Sequence, residues 1–466
     1  MNRSVAILSA AVLAVIVAAP SAAMAERAKR PWPPIPKRGV SFVHYGEEHW
    51  NDLDGLRILP RVVAQAAAYR PDAVLMSADK DDDGTVESLT RWKELMRPYN
   101  RRGIPYFAAV GNHDRKARPG FPHGVDPMGD LTNYMDVLAS RPYPFGDAPP
   151  YRDRLLQPRR RPASDPPGAS SHYAVETGPV RWIFIDNSCY GIVNCDPLQN
   201  PPFPDAAGNQ GQYDFLAREA AKATKEGDLA FVVMHMPTRD DRPGHTQPTP
   251  GPHTMGEGTS PDNVLFEQNA EAAGIDAVFV GHIKGMWQYE ARGIPYFTDG
   301  GAGGEVYVGP GEETGVDYGY WHGYRLIRVR GGKLRTDAVP VFRRDGIEID
   351  GLHRVEVGEV ARFSATGQQP TKEGPDVKLE LRLPDPSRPN ADTLPEPAHI
   401  WATMNRRVLR PVATEGDDPR RNRRRQTTTG AFVGRCPGLA RVKAKSGWEF
   451  ERFTVRVTGP KSSRCR

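Results

Sequence analysis

The sequence predicts an α/β domain up to about residue 350 and an all-β domain from residue 351 to residue 466. Up to residue 350, short apolar runs rich in Val, Ile and Phe alternate with segments of helical spacing, the pattern of α/β domains. Beyond about Gly351 the helical spacing stops, and short alternating strands follow. Regularly spaced short strands over roughly 100 residues are typical of an immunoglobulin-like β-sandwich. We therefore expect two folded domains.

Each element of the first domain follows from its local pattern. Helical spacing marks four segments, at 56–69, 88–96, 212–224 and 263–273. Three insertions rich in Pro, Gly or Arg lie at 147–171, 191–211 and 237–261, and loops of such length usually carry function. Apolar runs predict strands at 40–44, 73–77, 105–110, 182–186, 229–234 and 277–280, and alternation predicts strands of the second domain at 377–383, 439–444 and 453–458.

The composition excludes some classes of protein but does not identify a binding partner. The chain has 466 residues, more than one ordinary domain of roughly 100–200 residues holds. Its 38% hydrophobic residues suffice for a core, so an extended disordered chain is excluded. The net charge is only +5, from 62 Lys and Arg against 57 Asp and Glu. A nucleic-acid-binding protein needs basic residues clustered in a stripe, and the α/β domain has none, so nucleic acid is not expected as a partner.

Residues 1–25 have the pattern of a cleavable signal peptide. Arg3 precedes an apolar run at 5–19, and the segment ends on Ala23-Met24-Ala25, the small-x-small pattern at which signal peptidase cuts. An uncleaved anchor is the alternative, but the run is shorter than the roughly 20 residues that span a bilayer. No later segment is apolar enough to span. We expect a secreted or periplasmic protein whose short signal fits bacterial export, and a first domain at 26–350.

The four cysteines permit two disulfides in an oxidising compartment. Cys189 and Cys195 are close enough in sequence to close a short loop, and Cys436 would then pair with Cys465. Sequence alone does not fix this pairing, and four free thiols are the alternative.

Polar residues follow nearly every predicted strand of the α/β domain. Ligands of open α/β sheets bind beyond the carboxyl ends of the strands. Oxygen and nitrogen ligands without thiolate suit a divalent metal such as Mn, Zn or Fe. The side chains at these strand ends are Glu47, His49, Asp79, Asn112, His113, Asp114, His235 and His282.

These blocks resemble the ordered signature of the calcineurin-like metallophosphoesterases, which is Asp-x-His, Gly-Asp-x-x-Asp, Gly-Asn-His-Asp/Glu, a lone His and Gly-His-x-His. The third block, at 111–114, matches in full, and the others appear in order between Gly46 and Lys284. The resemblance implies two packed mixed β-sheets flanked by helices, with one or two metal ions at the sheet edge and a phosphate ester as substrate.

The resemblance also implies a role for each residue. Asp79 would bridge two metals, and His113 would protonate the leaving oxygen while Asp114 orients it. Arg239, just after the lone His, is a candidate for binding the phosphoryl group, although a loop ion pair is equally compatible with its position. Glu47 and His49 would hold the first metal, and Asn112, His235 and His282 the second.

Three residues depart from the family signature. Glu47 stands in place of Asp, and Ala78 replaces a Gly, which matters only if that backbone needs a positive φ. Lys284 occupies the final His, and a protonated ammonium has no lone pair for a metal. Lys284 either replaces the charge of one metal or contacts the substrate phosphate while another histidine completes the first site. The candidates for that histidine are His44, His245, His253 and His322.

The sequence therefore predicts a secreted metal-dependent phosphoesterase. Loss of catalysis is the alternative, which would leave a secreted protein that binds metal or phosphate on the same scaffold. The choice between monoester and diester substrates does not follow from these residues.

Overall fold

The computed structural model describes residues 39–115, 131–138, 155–156, 171–195, 211–240, 254–255, 262–304, 322–341, 347–369, 377–380, 400–412, 426–427, 430–446, 449–460 and 465. The predicted signal segment, His245 and His253 lie outside them, as does most of each predicted insertion. Within the described part of the chain, no helix combines the length and the apolar character needed to cross a membrane.

Two mixed β-sheets form the first part of the chain, as the sequence predicts. In the first sheet β1, β2 and β3 are parallel, and β11 and β12 are antiparallel to their neighbours. Its order is β12 (Lys333–Pro340), β11 (Gly323–Arg330), β1 (Val40–Tyr45), β2 (Ala73–Met76) and β3 (Tyr106–Ala108). The second sheet has the order β4 (Leu155–Leu156), β5 (Tyr173–Glu176), β6 (Val180–Phe184), β7 (Leu229–Val233), β8 (Ala277–Val280), β10 (Ile294–Asp299) and β9 (Met286–Ala291).

Helices cover the outer faces of the two sheets. One apolar core joins the first sheet to α1 and α2, and another joins the second sheet to α6 and α7. Thr85 caps the start of α2 by accepting a hydrogen bond from the main-chain N–H of Ser88, and Gly227 ends α6 in a left-handed conformation. The helices are α1 (Leu53–Tyr69), α2 (Val86–Leu95), α3 (Arg97–Arg102), α4 (Thr132–Val137), α5 (Ile192–Cys195), α6 (Gln212–Glu226) and α7 (Asp262–Ala273).

Aromatic side chains fill the layer between the two sheets. Phe42 of β1 meets Trp182 of β6 edge to face at 4.9 Å, and Phe107 of β3 lies 6.3 Å from Phe184 of β6. Such large rings bury extensive apolar surface and hold the sheets face to face. The carboxyl ends of β1, β2, β3, β7 and β8 are therefore held in fixed relative positions.

A buried charged cluster lies in the same layer. The carboxylate of Asp299 accepts hydrogen bonds from Arg325 at 2.8–2.9 Å, and its Oδ2 lies 2.6 Å from His44 Nδ1. All three side chains are at most 1% exposed. Buried charges are tolerated when they are paired and hydrogen-bonded in this way. His44 is therefore part of the support between the sheets.

Every described element after β12 is a strand, so the predicted all-β character of this region is confirmed. Its immunoglobulin-like topology stays a prediction. Three small sheets surround one apolar core. They comprise β13 (Ile347–Asp350), β16 (Ser364–Gln369) and β17 (Val377–Glu380); β14 (Arg354–Glu356), β23 (Glu449–Thr458), β22 (Gly438–Ser446), β18 (Ile400–Thr403) and β20 (Gln426–Thr427); and β15 (Val360–Arg362), β21 (Ala431–Gly434) and β19 (Leu409–Pro411).

The core of this C-terminal region extends into the α/β part of the chain. Met286 of β9 and Ala338 of β12, each on the edge strand of its sheet, belong to the same buried cluster as Trp401 and Val442. The C-terminal strands thus cover one common edge of both sheets. Met286 lies two residues beyond Lys284, which links this interface to the strand-end loops.

The structure confirms one of the two predicted disulfides. Cys436 and Cys465 are bonded, whereas Cys189 and Cys195 are buried thiols without a disulfide bond. The Cys189 main-chain N–H donates to Cys195 Sγ at 2.7 Å. The Cys195 sulfur is thus an acceptor within its own loop, and the predicted second disulfide is absent.

Candidate metal centre

The predicted ligands converge at the carboxyl ends of the strands. His49 follows β1, Asp79 follows β2, Asn112 follows β3, His235 follows β7 and His282 follows β8. His49, Asp79 and His235 are at most 1% exposed, and Asn112 is 5% exposed. Five separate loops therefore bring polar side chains to one buried place.

One half of this centre is built around His235. Its Nε2 lies 2.7 Å from Asn112 Oδ1, 3.2 Å from Asp79 Oδ2 and 3.1 Å from His282 Nδ1. Its Nδ1 lies 3.0 Å from the carbonyl oxygen of Ser77, which orients the ring. One carboxylate, one amide and two imidazoles thus face a common point.

The other half is built around His49. Its Nε2 lies 3.1 Å from Glu47 Oε2 and 3.7 Å from Asp79 Oδ2, and its Nδ1 contacts the carboxylate of Asp82. The ring of His113 lies 4.8 Å from the His49 ring. Ligand atoms of His49, Asp79 and His113 all lie within 4.8 Å of one another. His113 is therefore placed to act beside this half of the centre.

Asp79 belongs to both halves. Its carboxylate forms one potential metal-binding group with His49 and His113 and a second with His235 and His282. A Cβ at Gly111 would lie only 1.9 Å from Asp79 Oδ1, so glycine is required where the carboxylate packs. Carboxylate, amide and imidazole ligands suit Mn, Zn or Fe, and the residues present therefore fit a metal centre that shares Asp79.

Buried carboxylates raise the pKa of two histidines in the metal-free protein. Burial and the charge of Lys284 lower the pKa of His49, but its contacts with Asp82 and Glu47 outweigh them and raise it to about 9. Burial also lowers the pKa of His235, but Asp79 and Glu47 raise it to about 9. Metal binding must therefore displace protons from both rings.

Backbone strain is concentrated at the centre. Glu47, His49, Ala78, Asp79 and His282 all have positive φ angles, between 35° and 88°, a conformation that L-residues other than glycine rarely adopt. Such strain persists only where the surrounding structure imposes it, and it clusters at functional sites. Ala78, at a φ of 88°, occupies the position where the family signature has glycine.

Ala78→Gly is expected to stabilise the metal-free protein by about 1 kcal/mol, because glycine adopts a positive φ without a Cβ clash. Urea unfolding would measure the change. The matched control is Ala64→Gly in the exposed face of α1, which should destabilise by about 1 kcal/mol. Equal losses from both variants would contradict the assignment of strain to Ala78.

Two predicted site residues have partners other than those expected. Asp114 does not contact His113 in the described structure: its carboxylate accepts hydrogen bonds from Lys80 and from the main-chain N–H of Gly111. His113 Nδ1 instead lies 3.2 Å from the carbonyl oxygen of Asp82. Lys80 and Gly111 thus hold the buried Asp114 carboxylate.

Arg239 forms a bidentate ion pair with Glu267 of α7. Arg239 Nε and Nη2 each donate to one carboxylate oxygen of Glu267 at 2.9 Å. Arg239 therefore forms an ion pair, the alternative that the sequence left open beside binding of the phosphoryl group. The Glu267 carboxylate balances its charge.

Lys284 lies on the His49 side of the centre. Burial raises the pKa of Asp82, but His49 and His113 and the charge of Lys284 lower it overall. His44 contacts Asp299 between the sheets, and His322 Nδ1 lies 3.2 Å from the carbonyl oxygen of Gly301. Neither histidine belongs to a potential metal-binding group among the described residues.

Sequence reasoning missed two residues that support the centre. The Asn187 side chain accepts from the main-chain N–H groups of His235 and Met236 and donates to the Met236 carbonyl. Tyr190, with a φ of 61°, places its ring 6.2 Å from the His282 ring. Both follow β6, so their position beyond a strand end was the signal that could have identified them.

Comparison with known proteins gives the family. A family model described as calcineurin-like phosphoesterase matches residues 40–285, more than half of the chain. The chain belongs to this family. No curated protein matches it.

Several solved structures are similar to parts of this calcineurin-like phosphoesterase. Purple acid phosphatase PPD1 from yellow lupin is 13% identical, with a TM-score of 0.43 over 65% of this chain and 51% of the lupin chain. A dimetal phosphatase from Danio rerio is 12% identical, with a TM-score of 0.38 over 64% of this chain and 98% of that chain. GAP50 of Plasmodium, described as an anchor in the inner membrane complex, is 13% identical, with a TM-score of 0.41 over 65% and 85% of the two chains.

Proposed function

We propose that this chain is an exported metal-dependent phosphoesterase that hydrolyses phosphate mono- or diesters. The observation that carries the proposal is the Asp79 carboxylate, which two groups of potential metal ligands share at the strand ends. Family membership supplies the reaction class, and the buried histidines supply the ligand chemistry.

In this proposal one set of residues binds the metal and another residue transfers a proton. Asp79, Asn112, His235 and His282 would hold one metal, which when bound polarises a phosphate oxygen and activates a water for in-line attack. His113 is the candidate general acid. The Asp82 carbonyl lies 3.2 Å from His113 Nδ1 and favours a proton there, so the opposite nitrogen, Nε2, is the one that would serve the leaving oxygen.

We further propose that Lys284 replaces the charge of a second metal. Lys284 acts on His49 and Asp82, while His44 and His322, the described candidates for a substitute ligand, are engaged elsewhere. An ammonium near His49 and Asp82 would neutralise part of the carboxylate charge without coordinating.

Metal stoichiometry and turnover test these proposals together. Elemental analysis of the purified mature protein is combined with hydrolysis of para-nitrophenyl phosphate and bis(para-nitrophenyl) phosphate. One metal per chain with turnover is expected. Two metals with turnover would mean that another residue completes the first site. Metal without turnover on a broad panel of esters would favour a non-catalytic binding protein.

Export is proposed from the signal pattern of residues 1–25, and the Cys436–Cys465 disulfide is compatible with an oxidising compartment. N-terminal sequencing of the exported protein should begin at Glu26. A protein that keeps residues 1–25 would instead be anchored.

A further inference from the structure

Three loops of the metal centre each carry a charged residue that points into the core. Glu48 lies between Glu47 and His49, Lys80 follows Asp79, and Asp114 follows His113. Glu48, Lys80 and Asp114 are all 0% exposed. Each loop thus places one residue towards the metal ligands and its neighbour in a second, buried charged cluster.

Lys80 joins two of these loops. Its Nζ donates to Asp114 Oδ2 at 2.8 Å and to the carbonyl oxygen of Ala109 at 3.0 Å, and its main-chain N–H donates to Asp114 Oδ1 at 2.9 Å. The Gly111 main-chain N–H donates to Asp114 Oδ2 at 2.9 Å. The loop after β2 is therefore tied to the loop after β3 by the three hydrogen bonds of Lys80.

The surroundings of Lys80 are aromatic. Its Nζ lies 4.9 Å from the ring centroid of Tyr134 and 5.7 Å from that of Trp92, two residues of the first apolar core. The Trp92 indole N–H donates to Glu48, so the third loop meets the same ring. Burial raises the pKa of Glu48 to about 8. Within this cluster the charge of Lys80 is paired with that of Asp114 at 2.8 Å.

Stability alone does not explain a charged pair at this place. A buried ion pair is often no more stabilising than apolar residues of similar volume, because removing both charges from water costs as much as their attraction returns. Apolar residues, however, cannot form the directional hydrogen bonds that fix one loop relative to another. The pair fixes the loop of Asp79 against the loop of Asn112, and the His113 main-chain N–H donates to Asp79 Oδ1 at 3.0 Å across the same junction.

We propose that Lys80 and Asp114 are a positioning pair for the metal centre, whose ion pair sets the distance between Asp79 and Asn112. The proposal rests on the proposed function for its metal centre, and it gives Asp114 a role different from orienting His113. Supporting residues of metal ligands typically change metal affinity or activity by about 10–100-fold when they are removed.

A double-variant cycle tests the pair in the full-length mature protein. Lys80→Met or Asp114→Asn alone leaves one buried charge unmatched, and each should lower Tm by at least about 5 °C. The double variant removes both charges, so its Tm should return to within about 2 °C of the parent. Its affinity for Mn²⁺, measured by calorimetric titration, should nevertheless remain at least about tenfold weaker than that of the parent.

A second variant keeps the test decisive if the double variant unfolds. Lys80→Gln retains a hydrogen-bond donor for Asp114 without the charge, and it should also bind Mn²⁺ more weakly. The control is Arg328→Met with Asp337→Asn, which removes an ion pair between β11 and β12 near the amino end of β1 and should leave Mn²⁺ affinity unchanged. Parental Mn²⁺ affinity in either folded Lys80 variant would overturn the proposal.

The titration separates this proposal from the proposed function. If the parent binds Mn²⁺ but hydrolyses no ester, the phosphoesterase proposal fails while the affinities of the variants still test the pair. If the parent hydrolyses esters and the double variant keeps parental affinity, the positioning role fails and the phosphoesterase proposal stands.

Discussion

His235→Ala is expected to lower metal content to near zero and to reduce kcat/KM for an aryl phosphate ester by at least about 10³-fold. His235 Nε2 is the atom on which Asn112, Asp79 and His282 converge, so its removal takes one ligand and the contact that orders the other three. Elemental analysis and steady-state kinetics on the same preparation would measure both effects.

The control for this variant is His353→Ala. His353 is an exposed histidine of the C-terminal region whose ring stacks on Phe453 at 4.3 Å. Its replacement should leave metal content and kcat/KM unchanged. Full metal occupancy in His235→Ala would show that the centre is not organised around this ring.

His113→Gln is expected to reduce kcat for a phenyl ester by about 10²–10⁴-fold while the protein keeps its metal. Glutamine preserves a polar side chain near the Asp82 carbonyl but supplies no acidic proton. Esters with a dinitrophenyl leaving group need little protonation, so their kcat should fall much less. The measurement that tests the acid role is the fall in kcat for the phenyl ester divided by the fall in kcat for the dinitrophenyl ester.

Equal losses for both leaving groups would contradict the acid role of His113. Its ligand atoms lie within 4.8 Å of those of His49 and Asp79, so the other role open to it is metal coordination. Metal content distinguishes the two, because loss of an acid leaves the metal bound and loss of a ligand does not.

Much of the fold followed from local patterns. The predicted strand at 277–280 has the observed bounds, and the predicted helix at 263–273 begins one residue late. Buried strands of an α/β domain are continuous apolar runs, which makes them visible in sequence. The strands β9 and β12 were not predicted, because they are edge strands with mixed polar and apolar residues.

The positions of the ligands were predictable because parallel strands end at one edge of a sheet. The partners of individual side chains were not. Asp114 and His113 are neighbours in sequence, yet one contacts Lys80 in the core and the other faces the metal ligands. Arg239 pairs with Glu267, 28 residues away, and nothing in the local sequence of Arg239 indicates that partner.

The shared core around Met286 has a consequence for how this protein can be divided. Because Met286 and Ala338 are covered by the C-terminal strands, a fragment that ends near residue 350 would present these two apolar side chains to water. Met286 also begins the strand that follows Lys284 and Gly285, so the exposed surface would adjoin the metal-binding loop. The C-terminal region therefore serves the α/β part as a cover, and recombinant fragments should keep both.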